Sequence, residues 1–303
     1  MKKLFILVIV TFGISACTTK KAQENTIESI EVALEPIVPE EDRSSYVPSD
    51  EFSVSKDTKI KFSPGNLQYR ASTETWRFAS NQYDVLGKYN AEISAFYDGW
   101  IDLFGWGTGD NPTISNLEFH YYINFTDWGE NTISNGENNV TWRTLTRNEW
   151  LYLFRERENA GYRFGWGCVN DVNGVIVLPD HWRTPDGLIF TSSIESGAYW
   201  SDYFNIKDAD GFADYNYFSV EEWELMETNG AIFLPAAGYR YLGKHILEVG
   251  EVGCYWSSTP ADRFERYGAY TMHFNSKKLY VGEDCSYEQR PEGLSVRLVH
   301  DSK

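Results

Sequence analysis

In Gly253-Cys-Tyr-Trp-Ser-Ser258 apolar and polar residues alternate, and the same pattern returns in Ala269-Tyr-Thr-Met-His-Phe274 and in Gly293-Leu-Ser-Val-Arg-Leu-Val299. Alternation with a period of two is typical of strands that bury one face. Polar, charge-rich loops separate the three runs. We therefore expect a terminal antiparallel sheet with exposed loops, which is typical of a binding scaffold rather than of a catalytic site.

The first 17 residues have the layout of an export signal. Two lysines precede an apolar run, Leu4 to Ile14, which is too short to span a bilayer as a permanent helix. Ile14-Ser-Ala-Cys17 resembles a bacterial lipobox, which implies that residues 1–16 are a signal peptide and that Cys17 is lipidated. Thr18 is similar to the residue found in lipoproteins sorted to an outer membrane. The alternative is an ordinary secretory signal in which Cys17 is incidental.

Residues 17–51 differ in composition from the rest of the chain. The segment is rich in Glu and proline and has a single aromatic residue, Tyr46. Such a segment cannot bury enough apolar area to offset the entropy lost on ordering. We expect a flexible acidic tether that holds the folded part away from the membrane.

The remaining residues, 52–303, are long enough for one large core, and no second change of composition divides them. We expect one domain with insertions. The formal net charge of -17 argues against nucleic acid and against electrostatic docking on anionic lipid. The expected partner is a glycan or a protein, and the only expected membrane contact is the lipid anchor.

Short strands dominate the expected secondary structure. Period-two alternation predicts an opening series of strands at Phe52–Ser55, Lys59–Phe62, Asn66–Tyr69 and Thr75–Phe78. Two helices are expected as well, because Thr146-Arg-Asn-Glu149 and Ser219-Val-Glu-Glu222 are capping boxes followed by apolar residues.

Two similar phrases follow the predicted helices. Asn173-Gly-Val-Ile-Val-Leu-Pro179 and Asn229-Gly-Ala-Ile-Phe-Leu-Pro235 each predict an Asn-Gly turn that leads into a buried strand ended by proline. Two related helix-plus-strand units, or one local solution used twice, explain the similarity.

Four phrases carry a resemblance to a known family: Trp142-Arg-Thr-Leu-Thr-Arg-Asn-Glu-Trp150, Leu234-Pro-Ala-Ala-Gly-Tyr-Arg240, Tyr255-Trp-Ser-Ser258 and Gly293-Leu-Ser-Val-Arg297. They resemble paralogous Bacteroidetes-type secreted lipoproteins with a C-type lectin-like fold, the subclass shared by formylglycine-generating enzymes and the variable proteins of diversity-generating retroelements. The resemblance implies an α+β domain in which two helices flank small antiparallel or mixed sheets with long loops. It also implies that the Trp-Ser-Ser and Ser-Val-Arg strands are neighbours.

The resemblance places an exposed binding face after the Trp-Ser-Ser strand. The candidate ligand-binding residues there are Asp262, Arg263, Phe264, Glu265, Arg266, Tyr267, His273, Asn275, Tyr280 and Glu283. Arginine and aromatic side chains together are typical of recognition hot spots. The alternative for residues 262–267 is a solvated loop whose charges pair among themselves. Trp256 and its two serines are expected in the core.

Aromatic residues make up 16% of the chain, which is rich for a soluble domain. One interpretation is sugar recognition, in which an aromatic face stacks on the apolar face of a pyranose. The other is that aromatic rings fill the space between irregular loops.

Residue patterns for catalysis and metal binding are weak. The five histidines are scattered without metal-ligand spacing, and no nucleophile has an identifiable partner, so we expect no catalytic site and no cofactor. Asp208, Asp210 and Asp214 share one loop with a glycine and form a weak candidate calcium site.

Three cysteines follow Cys17, so at most one bridge forms within the chain. The position of the bridge in C-type lectin domains implies the pair Cys254 and Cys285; three buried thiols are the alternative. The cysteine spacing of formylglycine-generating enzymes is not reproduced.

The sequence therefore predicts a lipid-anchored cell-envelope protein that binds a glycan or protein through its C-terminal loop face without catalysis. One alternative is a structural envelope or adhesin subunit. Another is a divergent enzyme of the formylglycine-generating type, which would need a reactive cysteine thiolate.

Overall fold

Strands make up most of the regular structure of the protein. In this computed structural model about 36% is strand and 16% is helix, so the chain is mainly β. The expected α+β class, with two helices flanking small sheets as in C-type lectin-like folds, is therefore wrong. The structure describes residues 50–114, 125–200, 204–207, 211–241, 243–261, 268–281, 287–290 and 292–302. The expected signal peptide, Cys17 and nearly all of the tether lie outside this part.

The first strands, in chain order, are β1 (Phe52–Ser53), β2 (Lys59–Phe62), β3 (Leu67–Arg70), β4 (Thr75–Phe78), β5 (Trp100–Ile101), β6 (Arg143–Thr144), β7 (Phe164–Val169), β8 (Val172–Val177), β9 (Tyr199–Trp200) and β10 (Phe204–Asn205). The later strands are β11 (Tyr217–Phe218), β12 (Ile232–Pro235), β13 (Tyr239–Tyr241), β14 (His245–Leu247), β15 (Val252–Ala261), β16 (Gly268–Asn275), β17 (Lys278–Val281), β18 (Tyr287–Gln289) and β19 (Leu298–Asp301). The strands predicted at the start of the domain are confirmed as β1 to β4.

Five small sheets arrange these strands. Their orders are β1-β2-β19-β6, β4-β3-β5, β11-β7-β8-β12, β13-β14 and β15-β16-β17-β10-β9, with β18 also paired to β16. The pairs are antiparallel except that of β11 with β7. The many short sheets leave long connections, which suits a protein that presents loops.

The described residues contain two short α-helices, and both predicted capping boxes are confirmed. Helix α1 (Arg147–Leu151) starts where Glu149 N donates to Thr146 Oγ1 at 3.2 Å, and α2 (Val220–Thr228) starts with the same bond from Glu222 to Ser219 at 3.3 Å. α1 continues into a single π-helical segment, Tyr152–Glu156. Capping boxes mark where a helix begins and not how far it runs, so the sequence predicted the helices without predicting how little of the fold they form. Among the described residues, no helix has both the length and the apolarity to cross a membrane.

The two Asn-Gly phrases lie side by side as β8 and β12, with Ile232 opposite Val177 and Leu234 opposite Val175. The turn predicted at Asn229-Gly230 is confirmed, since it ends α2 and Gly230 has φ +94°. The turn predicted at Asn173-Gly174 is wrong, because both residues lie inside β8. The β7–β8 hairpin turns instead at Asn170-Asp171, both of which have positive φ.

The first two of the three C-terminal runs form the antiparallel pair β15–β16, as predicted. The third run does not complete that sheet. It first passes beside β15, where Trp256 N donates to Ser295 O at 3.1 Å, and then enters β19 between β2 and β6. The Trp-Ser-Ser and Ser-Val-Arg segments are therefore neighbours, as the resemblance implied, while the predicted three-stranded terminal sheet is wrong.

Three apolar clusters form the core. The largest contains one face of β15–β17, with the fully buried side chains of Tyr255, Met272, Phe274, Leu279 and Val281. The second gathers the inner face of β3–β5 with Trp256, which is 1% exposed, so its predicted core position is confirmed. The third packs α2 onto β7, β8 and β12.

Replacing the N-cap threonine of α1 tests how much a short helix depends on its capping box. Thr146→Ala removes the acceptor for Glu149 N, and we expect the free energy of unfolding to fall by about 1 kcal/mol. Urea denaturation measures the change. The control is Thr228→Ala at the exposed end of α2, where the hydroxyl donates to Glu224 O at 2.7 Å; a change there of about 0.5 kcal/mol or less is expected. Equal losses in the two variants would contradict the assignment.

Candidate ligand-binding cleft

Two adjoining cavities lie on one side of the β15–β17 sheet, and together they form the cleft. The smaller has a volume of about 270 Å³ and is lined by Tyr239, Tyr241, Glu248, Val252, Cys254, His273, Asn275, Glu292 and Leu294. The larger has a volume of about 610 Å³ and is lined by Asn173, Gly211, Phe212, Glu248, Gly250, Glu251, Val252, Asn275, Ser276, Lys277, Lys278 and Tyr280. Glu248, Val252 and Asn275 belong to both.

The floor of the cleft is the polar face of the β15–β17 sheet. Cys254 lies opposite His273, which lies opposite Tyr280, so these three side chains form a row across the strands. Successive side chains of a strand point to opposite faces, so this row and the buried row of Tyr255, Met272 and Val281 face opposite ways. The alternation in the sequence thus places one face of the sheet in the largest apolar cluster, while the other face carries the cleft row and also Trp256, which is buried in the second cluster.

The β13–β14 hairpin forms one wall. Tyr239 and Tyr241 line the smaller cavity, and Tyr241 is 40% exposed. Arg240 lies between them and points to the other face, where it is 1% exposed and donates from Nη1 to Leu103 O at 2.8 Å. Its backbone N and O bond to the O and N of Gly293 at 2.8 and 2.9 Å. These bonds hold the two tyrosines beside Glu292.

A tight loop that carries Glu248 forms the rim between the two cavities. Glu248 has φ +55°, and Glu251 N and Val252 N both donate to its carbonyl at 3.0 Å. The loop is fixed from below by Gly250 N, which donates to Ala236 O at 2.8 Å, and by Asn173 Nδ2, which donates to Gly250 O at 2.9 Å. The backbone is therefore set before a ligand arrives.

His273 is a neutral imidazole at neutral pH. Burial lowers its pKa to about 4. Its Nδ1 is buried and has no hydrogen-bond partner in the described part of the chain, and its ring centre lies 4.4 Å from that of Tyr280. A neutral imidazole offers one donor and one acceptor, which suits a ligand rich in hydroxyl groups.

Asn275 closes the β16–β17 hairpin. Its Oδ1 accepts from the backbone N of Lys277 and of Lys278, each at 2.9 Å, and its carbonyl accepts from Trp166 Nε1 at 2.7 Å. The side-chain oxygen of Asn275 therefore accepts hydrogen bonds within the hairpin turn, and its Nδ2 group is suited to donate a hydrogen bond to a ligand.

The two cavities differ in charge. The smaller is lined by the carboxylates of Glu248 and Glu292, and no lysine or arginine is among the described residues that line it. The larger adds Glu251 but also Lys277 and Lys278. The smaller cavity therefore favours neutral or cationic groups that donate hydrogen bonds, and anionic groups are disfavoured there.

Three of the ten predicted ligand-binding residues, His273, Asn275 and Tyr280, are brought together in the cleft. The other seven, Asp262, Arg263, Phe264, Glu265, Arg266, Tyr267 and Glu283, lie outside the described residues. The wall residues were not predicted from the sequence: Tyr239, Tyr241, Glu248 and Glu292. A signal was present for the two tyrosines, because Tyr-Arg-Tyr alternates just after a strand ended by proline.

The metal and cysteine predictions fall only partly on the described residues. Asp214 accepts from Gly211 N at 2.8 Å and so closes a turn of 3-10 helix, while Asp208 and Asp210 lie outside the described residues. The described part contains no group of three or more His, Cys, Asp or Glu side chains arranged to hold a metal ion. Cys254 is buried at the cleft floor, and Cys285 lies outside the described residues, so their bridge stays a prediction.

Cys168 bears on the enzyme alternative. Its thiol is buried, and burial raises its pKa. A catalytic cysteine needs an accessible thiolate, and so Cys168 does not suit that role.

Substitution of Gly238, where two backbone segments approach closely, tests how the rim is held. Gly238 has φ +69°, and a Cβ added there would lie 2.2 Å from Leu247 O and 2.9 Å from Val249 N. Gly197 is the matched control, with φ +80° and nothing within 4 Å of an added Cβ. We expect Gly197→Ala to cost about 1–2 kcal/mol of unfolding free energy, from backbone strain alone. Gly238→Ala should cost about 1–3 kcal/mol more, from the clash. Equal costs, by urea denaturation, would contradict the close approach.

The lowered pKa of His273 predicts a pH dependence of stability. The unfolded state binds the proton near pH 6.5, and the folded state binds it only near pH 4. Stability from this group is therefore present above pH 6.5 and is lost as the pH falls from 6.5 towards 4. We expect His273→Gln to lose less stability than the wild type over this range, as measured by urea midpoints. The exposed His245→Gln serves as the control, and parallel curves for the wild type and His273→Gln would contradict the burial.

Comparison with known proteins found one family model that matches part of the chain. The model of a family described as "Domain of unknown function (DUF8237)" matches residues 193–299, which is less than half of the chain. The matched segment contains every residue that lines the smaller cavity and all but Asn173 of those lining the larger. No curated protein and no solved structure matches the chain.

Proposed function

We propose that this chain is a lipid-anchored binding protein of the cell envelope that holds a saccharide in the cleft and catalyses no reaction on it. The observation that carries the proposal is the meeting of three predicted ligand residues, His273, Asn275 and Tyr280, with Tyr241 and Glu248 around two joined cavities. These groups come from separate stretches of the chain, yet each has its place set by backbone hydrogen bonds.

The size of the cleft supports a small ligand rather than a flat protein surface. Ligand pockets have volumes of about 300–1,000 Å³, and cavities of about 270 and 610 Å³ match one to a few sugar rings. A specific protein interface covers about 800 Å² per partner and does not need a concave site. Among the two partner classes expected from the sequence, the glycan is therefore favoured.

The chemistry of the lining supports a sugar in particular. Tyrosine offers a rigid apolar face with a polar edge, which matches a pyranose that is apolar above its ring and polar around it. Glu248 and Glu292 accept hydrogen bonds from hydroxyl groups, and the Asn275 amide and the neutral His273 imidazole supply donors. Since the described residues that line the smaller cavity include two carboxylates and neither lysine nor arginine, the group it holds is a neutral or amino sugar.

The cellular setting in this proposal comes from the sequence alone. Ile14-Ser-Ala-Cys17 and the acidic segment after it support attachment through lipid to a membrane and a spacing arm that leaves the cleft accessible. An outer-membrane position follows from the resemblance of Thr18 to the residue of sorted lipoproteins.

A glycan array probed with the purified protein tests the proposal, in buffer with calcium and in buffer with chelator. We expect at least one neutral or amino saccharide to bind, and Tyr241→Ala to weaken that binding tenfold or more, because a stacked aromatic contributes more than about 1.4 kcal/mol at a hot spot. The control is Tyr162→Ala, since Tyr162 lies outside the cleft and is 53% exposed.

The outcomes separate the alternatives. Loss of binding in chelator would assign calcium a part, and undiminished binding would exclude it for that ligand. No binding by the folded protein to any saccharide, or equal binding by Tyr241→Ala and Tyr162→Ala, would contradict a saccharide cleft and leave a protein partner as the alternative.

A further inference from the structure

A second polar surface lies far along the chain from the cleft residues, on the outer face of the β4-β3-β5 sheet. Gln68 on β3 lies opposite Arg77 on β4, and Arg70 on β3 lies opposite Trp100 on β5. Directly opposite residues share a face, so these four side chains are on one side of the sheet. The other side carries Leu67, Tyr69, Trp76, Phe78 and Ile101, which are buried in the core.

Two arginines converge on one tryptophan ring on this outer face. The guanidinium carbon of Arg77 lies 3.8 Å from the centre of the Trp100 ring, and that of Arg70 lies 4.8 Å from it. Both cations are therefore within about 10 Å of each other, a Debye length at 0.1 M salt, and they repel. Burial and then the charge of Arg70 lower the pKa of Arg77. Cation–π attraction to Trp100 offsets part of this repulsion.

In the described part of the chain no ion pair involves Arg70 or Arg77, whereas Arg143 bonds Glu149 and Asp301 at 2.7 Å each. Asp98 accepts from Ser72 Oγ at 2.6 Å. Asp84 accepts from Asn81 N at 2.9 Å, and its charge raises the pKa of Arg77 without offsetting burial and the charge of Arg70. Two adjacent arginines without an ion pair among the described residues are unexpected in a chain with 44 acidic and 27 basic residues.

Some of the N–H donors of Arg70 and Arg77 have partners in the described part of the chain, and others do not. Arg77 Nε donates to Oε1 of Gln68, which is 1% exposed, at 2.9 Å, and this bond fixes the plane of the guanidinium. Arg70 Nε is buried and has no partner in the described part of the chain. Planar guanidinium groups held this way match the oxygen atoms of a carboxylate or a sulfate.

We propose that Arg70, Arg77, Gln68 and Trp100 form a binding site for an oxyanion, a carboxylate or a sulfate group. The anion lies against both guanidinium groups, accepts hydrogen bonds from them and removes their mutual repulsion, while Trp100 and Gln68 keep them in place. The site shares no residue with the cleft and lies outside the segment of residues 193–299 that matches a known family. It is therefore independent of the proposed saccharide binding.

Titration of the purified protein, followed by the NMR signal of the Trp100 indole N–H, tests this site. The signal is assigned with Trp100→Phe, and the probes are sodium sulfate, trigalacturonic acid and the neutral maltotriose, all at constant ionic strength. We expect the signal to move with one or both anions and not with maltotriose. Arg70→Gln/Arg77→Gln should weaken the anion affinity tenfold or more.

The matched control is Arg147→Gln/Arg155→Gln. It removes the same charge and two other stacked arginines. The guanidinium carbon of Arg147 lies 4.5 Å from the ring centre of Tyr270, and that of Arg155 lies 4.2 Å from the ring centre of Trp200. The control should bind the anions as the wild type does, and so should Tyr241→Ala, which separates this site from the cleft.

A response to trigalacturonic acid alone would identify an acidic saccharide as the ligand, and a response to sulfate as well would identify a site for small free anions. The absence of any shift with either anion, or equal affinity in the wild type and the Arg70/Arg77 variant, would overturn the proposal.

Discussion

The arrangement of the cleft depends on the contacts of the buried Arg240 side chain. Burial lowers its pKa to about 10 and raises that of the fully buried Asp102 to about 6, so both stay charged at neutral pH and attract each other. Arg240 bonds the carbonyl of Leu103 at 2.8 Å, and its backbone pairs with Gly293. A buried cation that loses its partners costs several kcal/mol, so these contacts hold the Arg240 side chain in place. That placement sets Tyr239, Tyr241 and Glu292 at the wall.

Arg297 repeats this solution elsewhere in the core. Its Nη2 donates to Gln82 Oε1 at 2.6 Å, and Gln82 Nε2 in turn donates to Glu227 at 2.9 Å and to the carbonyl of Ala231 at 3.2 Å. One glutamine thus joins the C-terminal run, α2 and β12, although long stretches of chain separate them. Backbone hydrogen bonds of a β-ladder join strands within one sheet, so other contacts must connect the short sheets of this fold. Buried polar side chains that must find partners take over part of that task.

Local signals in the sequence predicted the local structure well. Thr146 and Ser219 began helices, and most of the period-two runs became strands, because these features depend on residues within a few positions of each other. The sequence did not predict the fold class, since neither capping box says how far its helix extends. It also did not predict the wall of the cleft. Glu248 reaches the wall because its backbone has a positive φ, and Glu292 reaches it because the neighbouring Gly293 pairs with β13. Both features depend on distant chain segments.

Salt screening limits the distance over which the charges of the protein act on a ligand at either surface. A net charge of -17 repels anions at a distance, but at physiological salt the Debye length is about 8 Å, so this repulsion acts only near the surface. Within that range the cleft presents carboxylates, and the β4-β3-β5 face presents two arginines on Trp100. Local charge and not net charge therefore decides what each surface accepts. A net acidic chain is therefore compatible with both proposals, a neutral or amino sugar at Glu248 and an oxyanion at Arg77.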